Sequence, residues 1–298
     1  MMFAAIGECL AEFAPNEAGG YALGFAGDTF NAAWAARVRL RGAVPVRYVT
    51  AIGTDWMSDA MRARIEAAGI DAAFVRRVEG ASVGLYVIRV EAGERSFAYW
   101  RRQSAATHLA DDPAFLARAL AGARLVLVSG ITLAILPPAG RAALLDVLGA
   151  ARAAGAEIAF DTNYRPALWR DADEARETVR RVLPLVDIAL PTFEDEAALF
   201  GDATPAATVA RLAAAGVRDV VVKNGTAATL GRFGAESFEV VPREVVTPVD
   251  STGAGDAFNG TFLACRLQGM APAAAVAAAQ AVAARAVLTR GALIADEA

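Results

Sequence analysis

The stretch PVDSTGAGDAFNG at residues 248–260 carries the strongest structural signal in this chain of 298 residues. Gly253 and Gly255 allow a tight backbone turn, and a helical pattern begins near Asp256. The first amides of a helix lack intrahelical acceptors, and together with the helix dipole they favour an anion such as a phosphate. The stretch therefore predicts a backbone anion site with a carboxylate beside it. A plain glycine turn, with Asp256 as the helix N-cap, is the alternative.

The sequence around this turn separates it from two common phosphate-binding loops. The chain contains no G-x-x-x-x-G-K-[ST] of the Walker type and no G-x-G-x-x-G after a strand. The preceding segment VVPREVVT, residues 240–247, is β-rich and predicts a strand that leads into the turn. Because Asp256 lies at the predicted helix start, its carboxylate is placed to accept a proton from a hydroxyl held beside the phosphate.

Composition and charge limit the classes of protein to which the chain can belong. With 56% hydrophobic and 21% charged residues the chain is expected to fold, and no linker divides it, so we predict one domain over residues 1–298. A net charge of −4 argues against nucleic acid or an anionic membrane as a partner. Cys9 and Cys265 form no C-x-x-C pair and no zinc spacing, and the start of the chain lacks the basic region of a signal peptide. A reduced, cytoplasmic location is therefore expected.

Short β-rich runs alternate with longer helical patterns along the chain. Strands are predicted at residues 47–52, 125–128, 158–160, 186–190 and 219–222, and helices at 56–68, 138–154, 172–182 and ending at 215. This alternation is typical of βαβ units around a mostly parallel sheet, so the expected fold class is α/β. Such sheets bind ligands at the carboxyl ends of their strands. The alanine-rich residues 271–287 contain Gln280 and Arg285, which indicates a buried or half-buried helix and not a membrane span.

One segment interrupts this alternation. Residues 83–90 and 95–100 are typical of two strands, and only the turn EAGE separates them. We expect a hairpin that joins the strand-like start of the chain in a small β-sheet, with its strands within about residues 8–25 and 83–101. Such a sheet, projecting from an α/β core, would serve as a lid over a site. An ordinary edge hairpin is the alternative.

Three stretches resemble the motifs of the ribokinase-like (pfkB-type) sugar kinases. The turn DSTGAGD is similar to the closing signature D-T-x-G-A-G-D of that family, with Ser251 in place of the usual Thr. GFAGDTFNA, residues 24–32, resembles the family's G-G-[DS]-x-x-N-x-A, with Ala26 in place of the first glycine. AIGTDWMSDAM resembles its G-x-D-x-x-G segment, with Ser58 where glycine is usual. The matches follow the family order over nearly the whole chain.

This resemblance implies a three-layer α/β/α fold, the ribokinase-like fold, with a mostly parallel central sheet and a small β-sheet lid. It also implies ATP and Mg2+ as cosubstrates, phosphorylation of a sugar hydroxyl, and a homo-oligomer that pairs through the lid. By resemblance Asp256 is the catalytic base, and the backbone of Gly253, Ala254 and Gly255 forms the anion hole. The same comparison places three residues near the sugar: Gly27, Asp28 and Asn31.

The nucleotide side is also indicated by resemblance. Lys223 and Gly225 lie in a segment similar to the family's V-K-x-G, which faces ATP, whereas a surface lysine is the alternative. The stretch LPTFEDEAALF corresponds to the family's P-N-x-x-E, with Thr192 in place of Asn and Asp195 in place of Glu. Because those family residues order Mg2+ through water, the substitutions leave the metal roles of Glu194 and Asp195 open. An exposed acidic helix start is the alternative.

Two arginines indicate the class of sugar. Arg101 follows the second lid strand and Arg165 lies in DTNYRPALW, and a guanidinium offers a planar fork of donors suited to a carboxylate. Y-W-R-x-x-S-A-A and D-x-N-Y-R-P-x-L-W are similar to stretches of the 2-keto-3-deoxygluconate kinases. In that group the Arg matching Arg101 contacts the sugar-acid carboxylate, and Tyr86 and Tyr99 line the pocket. The same resemblance implies that Asn163 and Arg165 lie between the substrate and the phosphates.

The expected activity is therefore ATP-dependent phosphorylation of 2-keto-3-deoxygluconate on its terminal hydroxyl, which gives the 6-phosphate. A fructokinase or another neutral-sugar kinase with the same machinery is the nearer alternative, because N-Y-R also occurs in fructokinase-like relatives. A non-catalytic nucleotide- or sugar-binding protein is the more distant alternative. Arg101 and Arg102 could also form a solvated strand end.

Overall fold

A nine-stranded sheet lies at the centre of the computed structural model, which describes residues 1–16, 18–91, 94–289 and 291–295. Its strands are β1 (Phe3–Ile6), β4 (Val46–Ile52), β5 (Val75–Arg77), β8 (Leu125–Ser129), β9 (Glu157–Asp161), β10 (Ile188–Ala189), β11 (Asp219–Val222), β12 (Thr229–Phe233) and β13 (Glu236–Val240). Their spatial order is β13-β12-β11-β10-β9-β8-β1-β4-β5. All pairs are parallel except β11–β12 and β12–β13, so the predicted mostly parallel sheet is confirmed.

Helices cover both faces of this sheet. They are α1 (Asp28–Leu40), α2 (Trp56–Ala67), α3 (Pro113–Leu120), α4 (Gly130–Ile135), α5 (Pro138–Ala153), α6 (Ala172–Val182), α7 (Phe193–Phe200), α8 (Pro205–Ala214), α9 (Ala254–Leu267) and α10 (Pro272–Ala286), with single 3-10 turns at Ala105–His108, Pro166–Leu168 and Leu183–Leu185. Neighbouring residues of β8 belong to different cores. Leu125 and Leu127 pack with α1, α2, α9 and α10, whereas Val126 and Val128 pack with α3, α5 and α6. A strand buried on both faces needs this continuous apolar run, and the result is the predicted α/β/α arrangement.

A second sheet of four strands contains the predicted hairpin. It is built from β2 (Leu10–Pro15), β3 (Tyr21–Ala26), β6 (Leu85–Glu91) and β7 (Glu94–Trp100) in the order β3-β2-β6-β7. The start of the chain is divided between the two sheets, since β1 lies in the central sheet between β8 and β4 while β2 joins the hairpin. Part of the predicted EAGE turn, residues 92–93, lies outside the described residues.

One predicted strand is absent and two predicted boundaries were wrong, and each difference has a local cause. Residues 241–247 form no strand after β13 ends at Val240, because Pro242 cannot donate to a ladder. Only Ile188–Ala189 forms a strand within residues 186–190, since a 3-10 turn precedes it and Pro191 follows. Helix α9 begins at Ala254, two residues earlier than expected.

No helix in the described part of the chain is long and apolar enough to cross a membrane. The alanine-rich segment instead forms α10, whose residues Ala275, Val276 and Ala279 are fully buried. This agrees with the expectation of a packed helix.

Close packing of α1 against α9 depends on Gly260, because a Cβ there would lie 2.0 Å from the Ala32 carbonyl oxygen. The chain also offers a control glycine inside a helix. A Cβ on Gly149 in α5 would lie 3.7 Å from Leu185 Cδ2, which is ordinary contact.

We expect Gly260→Ala to destabilise the fold by about 1–3 kcal/mol, because backbone atoms of two packed helices must separate. Gly149→Ala is expected to be neutral or to stabilise by up to about 1 kcal/mol, since alanine is the better helix former. Urea unfolding of both variants measures the difference. Equal midpoints would show that α1 and α9 do not need this close approach.

Candidate functional site

The glycine turn before α9 leaves backbone amides facing outward. Gly253 caps the helix in the left-handed conformation, with φ of 77°, and a Cβ there would lie 2.4 Å from the Ala292 carbonyl oxygen. The first full helical bond runs from Ala257 N–H to the Gly253 carbonyl, at 2.8 Å. Among the described residues, no acceptor is found for the amides of Gly255 and Asp256. These two donors, at the positive end of a helix dipole, can bind an anion.

Asp256 lies in the first turn of α9, with its carboxylate enclosed by other polar groups. Its Oδ2 accepts a hydrogen bond of 2.8 Å from Asn31 Nδ2. Burial and the nearby charge of Asp28 raise the pKa of Asp256 to about 7, although the Asn31 bond acts against this. Asp161 raises the pKa further, and the Lys223 ammonium lowers it. A carboxyl that titrates near neutral pH is well matched to proton transfer.

The start of α1 holds the other groups expected near the sugar. Gly27 and Asn31 are mutually bonded: Asn31 Oδ1 accepts from Gly27 N–H at 3.2 Å, and Asn31 N–H donates to the Gly27 carbonyl at 2.7 Å. A Cβ on Gly27 would lie 2.2 Å from the Glu8 carbonyl oxygen, so only glycine fits this approach. Asp28 Oδ2 accepts from Asn163 Nδ2 at 2.9 Å. The turn after β9 is thereby tied to α1.

Lys223 forms a buried polar cluster with two residues that the sequence did not indicate. Its Nζ donates to Asp161 Oδ2 at 2.6 Å and to Asn259 Oδ1 at 2.9 Å, and Asn259 Nδ2 donates to the same Asp161 oxygen at 2.6 Å. The alternative of a surface lysine is wrong, because Lys223 is 7% exposed. Its Nζ lies 3.8 Å from where a Cβ of Gly255 would stand, so its charge lies next to the glycine turn.

The remaining residues predicted on the nucleotide side lie at neighbouring strand ends. Phe193 N–H donates to the Lys223 carbonyl at 2.8 Å, which holds Thr192, at the start of α7, beside the end of β11. Gly225 is exposed and left-handed, with φ of 55°. Thr192, Lys223 and Gly225 therefore line one stretch of the sheet edge.

Asp195 and Arg165 face each other at the same edge. Arg165 Nη1 lies 3.3 Å from Asp195 Oδ1, and 52% of the Arg165 side chain is exposed. Burial raises the pKa of Asp195 to about 6, although the charge of Arg165 acts against this. Glu194 is exposed, as the alternative of an acidic helix start requires. Within the described ranges, no group of three His, Cys, Asp or Glu side chains is arranged to hold a metal ion.

Arg101 is not a solvated strand end, because 11% of its side chain is exposed. Its Nε donates to Glu8 Oε2 at 2.8 Å, its Nη2 donates to the same oxygen, and Ser104 Oγ donates to Oε1. Burial raises the pKa of Glu8, and these donors act against that rise. Arg102, in contrast, is exposed. The buried carboxylate of Glu8 thus holds the guanidinium of Arg101 in one orientation.

Two tyrosines of the four-stranded sheet lie near these groups. The Tyr86 and Tyr99 rings lie 5.5 Å apart between centroids, and Tyr86 Oη donates to Glu12. Burial raises the pKa of Tyr99, while the charges of Arg101 and Arg165 both lower it. Both guanidiniums therefore lie within electrostatic range of Tyr99. The four-stranded sheet and the turn after β9 therefore approach each other near Tyr99.

The sequence did not indicate Glu8, Glu12, Asp161 or Asn259, although a signal existed for two of them. Glu8 follows β1 and Asp161 ends β9, and parallel sheets place their ligand-binding groups at such carboxyl ends. Glu12 and Asn259 face inward from a strand and a helix, and only the three-dimensional structure shows which neighbours they meet.

Comparison with known proteins identifies the family. Residues 2–298 match the pfkB family carbohydrate kinase. The chain belongs to this family. The resemblance noted in the sequence is thereby confirmed, and this pfkB-family kinase is an enzyme that transfers a phosphoryl group to a carbohydrate.

Relatives agree with this assignment over most of the chain. The 2-dehydro-3-deoxygluconokinase of Haemophilus influenzae is 40% identical over 265 residues, which are 87% of this chain and 84% of the relative. That of Dickeya dadantii is 38% identical over 304 aligned positions, which cover 99% and 97%. A solved structure of a putative ribokinase II from E. coli in complex with ATP and Mg2+ is 26% identical, with a TM-score of 0.83, covering 98% of this chain and 94% of that one. The ribokinase-like fold is confirmed.

The raised pKa of Asp256 has a consequence for stability. An unfolded aspartate loses its proton near pH 4, whereas folded Asp256 keeps one up to about pH 7. Between these values the folded state binds more protons, so its stability falls as the pH rises. Asp256→Asn removes this loss, and we expect its Tm at pH 8 to exceed that of the natural protein by at least about 2 °C.

The gain should shrink towards pH 5, as differential scanning calorimetry at both pH values can measure. Asp146→Asn, at an exposed position of α5, is the matched control and should leave the Tm difference unchanged with pH. A gain for Asp256→Asn that does not vary with pH would contradict the raised pKa.

Proposed function

We propose that this pfkB-family kinase phosphorylates 2-keto-3-deoxygluconate, the 2-dehydro-3-deoxygluconate of its relatives' names, on the terminal hydroxyl with ATP as donor. The product is the 6-phosphate. The observation that carries the proposal is the buried Arg101, which is held by Glu8 with its Cζ 6.0 Å from the centroid of the Tyr99 ring. The charge of Arg165 also acts on Tyr99. The relatives that share 38–40% of its residues support the same substrate.

The two arginines suit the acid end of such a sugar. Glu8 binds Nε and Nη2 of Arg101, and no acceptor among the described residues takes its Nη1. Arg165 is bound to Asp195 only through Nη1, so its other nitrogens remain donors for a ligand. A substrate carboxylate would accept hydrogen bonds from these remaining donors, whereas a neutral sugar offers them no charged acceptor. The neutral-sugar alternative is therefore weaker.

The rest of the sugar is proposed to lie between the lid and α1. Tyr86 and Tyr99 line one wall of this space, and Gly27, Asp28 and Asn31 line the other. Asp28 and Asn31 bring oxygen and amide groups to within hydrogen-bond reach of Asn163 and Asp256 respectively, so this wall can position hydroxyls. Positioning of this kind is the main requirement of phosphoryl transfer.

Asp256 is proposed as the base. It takes the proton of the terminal hydroxyl while that oxygen forms a bond to the γ-phosphorus of ATP. The bond from this phosphorus to the bridging oxygen breaks, and ADP leaves with the electron pair. The turn formed by Gly253, Ala254 and Gly255 is proposed to hold the charge that develops on the transferred group, through the amides at the start of α9.

The nucleotide is proposed to bind along the sheet edge, and the E. coli relative solved in complex with ATP and Mg2+ supports ATP as the donor. The contacting residues are Asn163, Arg165, Thr192, Lys223, Gly225, Gly253 and Gly255. Mg2+ prefers oxygen ligands and usually keeps phosphates and waters around one or two carboxylates. Half-buried Asp195 fits that part, since the ion-pair partner found for it among the described residues is the exposed Arg165. The ion would neutralise phosphate charge.

We further propose that the four-stranded sheet is a lid over this site and that two copies of the chain pair through it. Inward residues such as Tyr86 and Ile88 pack on Leu10, Ala26 and Ala292. The opposite face carries exposed Tyr21 and Trp100, which are 53% and 60% exposed. An exposed apolar sheet face of this kind supports association. Cys9 and Cys265, both buried free thiols, support a cytoplasmic location.

A coupled kinase assay with 2-keto-3-deoxygluconate, fructose, ribose and adenosine tests the substrate. We expect the sugar acid to be preferred. Arg101→Ala should lower kcat/KM for the acid about 100-fold, because a charge-assisted contact is lost. The neighbouring exposed Arg102→Ala is the control and should change kcat/KM less than about twofold.

Asp256→Asn should lower kcat about 100- to 10,000-fold, the range typical of a lost general base. A fall with Arg101→Ala on neutral sugars alone would overturn the sugar-acid proposal. Activity that survives in Asp256→Asn would overturn the proposed base.

The association is tested separately. Light scattering should give a mass of at least two chains, and Trp100→Asp together with Tyr21→Asp should reduce it to one chain, because a charge on the apolar face opposes contact. Arg102→Asp, beside the lid, is the control for added negative charge. A monomeric natural protein would refute the pairing.

A further inference from the structure

Arg95, a lid residue with no role in the function proposed above, contacts the segment that starts the glycine turn. In the hairpin register Arg95 lies opposite Val90, and it shares a face with Phe97 and Tyr99, which are opposite Ile88 and Tyr86. This is the inner face of the lid, because Tyr86 and Ile88 pack inward. The side chain of Arg95 therefore points towards the site.

The partner of Arg95 is the carboxylate of Asp250, which is 1% exposed. Arg95 Nη1 forms an ion pair with Asp250 Oδ2 and lies 3.3 Å from Thr252 Oγ1. The carboxylate also accepts from Thr252 N–H at 3.0 Å and from Gly291 N–H at 2.8 Å. The buried carboxylate of Asp250 thus contacts the lid at Arg95, the start of the glycine turn at Thr252, and the chain after α10 at Gly291.

These contacts are placed to affect the anion site. Thr252 immediately precedes Gly253, whose Cα packs against Ala292, the residue after Gly291. Burial raises the pKa of Asp250, but the bonds from Gly291, Thr252 and Arg95 outweigh burial and lower it. The Asp250 carboxylate is therefore ionised. Among the described residues, the positively charged group that pairs with it is the Arg95 guanidinium.

We propose that Arg95 and Asp250 form a latch that links closure of the lid to the geometry of the glycine turn. Arg95 is then a positioning residue, acting through Asp250 on the turn that carries the amides of Gly255 and Asp256. The contact forms only when the hairpin lies over the site, so the turn is fully ordered only under a closed lid. Its effect on turnover rests on the proposed kinase function, but its effect on backbone order does not.

Hydrogen–deuterium exchange of the protein without substrates tests the latch directly. Arg95→Gln should speed exchange about tenfold in peptides that span residues 85–91 and residues 250–256, since both ends of the contact are released. Arg89→Gln is the matched control, because Arg89 is on the opposite face of the same hairpin and pairs with exposed Glu91. It should leave exchange within about twofold. Thermal unfolding checks that both variants fold.

Turnover gives a second, independent measurement. Arg95→Gln should lower kcat about tenfold in the natural protein and less than about twofold in an Asp250→Asn background, because the two residues act through one contact. Arg95→Lys should recover part of the loss. Unchanged exchange at residues 250–256, or an equal loss of kcat in both backgrounds, would overturn the latch. If no sugar is phosphorylated, the proposed function fails while the exchange result still decides the latch.

Discussion

The amides at the start of α9 depend on a backbone that no residue with a side chain could form. Gly253 is left-handed and touches the Ala292 carbonyl, so a Cβ would both strain φ and push the C-terminal segment away. Helix α9, which begins directly after Gly253, is in turn held in place by its close packing on α1 at Gly260. The position of these amides therefore depends on helix packing and on the approach of Ala292, and the glycines of the local sequence only make that backbone possible.

The buried part of the site contains more carboxylates than ammonium groups. The carboxylates of Asp28, Asp161 and Asp256 crowd one region, and Lys223 is the ammonium bonded to one of them. Lys223 is bonded to Asp161 and Asn259, so its field reaches Asp256 only in part, and the pKa of Asp256 remains raised. A base that is half protonated at neutral pH has enough proton affinity to accept a hydroxyl proton and still release it afterwards.

The sequence was sufficient for features that depend on local pattern and insufficient for those that depend on partners across the fold. Asp219–Val222 and Ala172–Val182 were predicted to the residue, since a short β-branched run identifies the buried strand and a 3.6-residue period identifies the amphipathic helix. The strand predicted after Val240 is absent. The prediction relied on the β-branched residues of this segment and gave too little weight to Pro242, which cannot donate to a ladder. Lys223 was placed at the right strand end, but its bonds join residues 36 and 62 positions away, which no local pattern encodes.

The same contrast explains why the proposed sugar-binding residues are harder to predict than the proposed phosphoryl-binding turn. A glycine turn before a helix offers backbone donors wherever it occurs, so its chemistry can be inferred from spacing alone. Arg101 acquires its orientation from Glu8, which lies 93 residues earlier in the chain and has no free oxygen left for solvent. An arginine with an exposed side chain would bind a carboxylate weakly and in many geometries. Burial and the fixed partner Glu8 restrict the guanidinium of Arg101 to one orientation, and both depend on the fold and not on the local sequence.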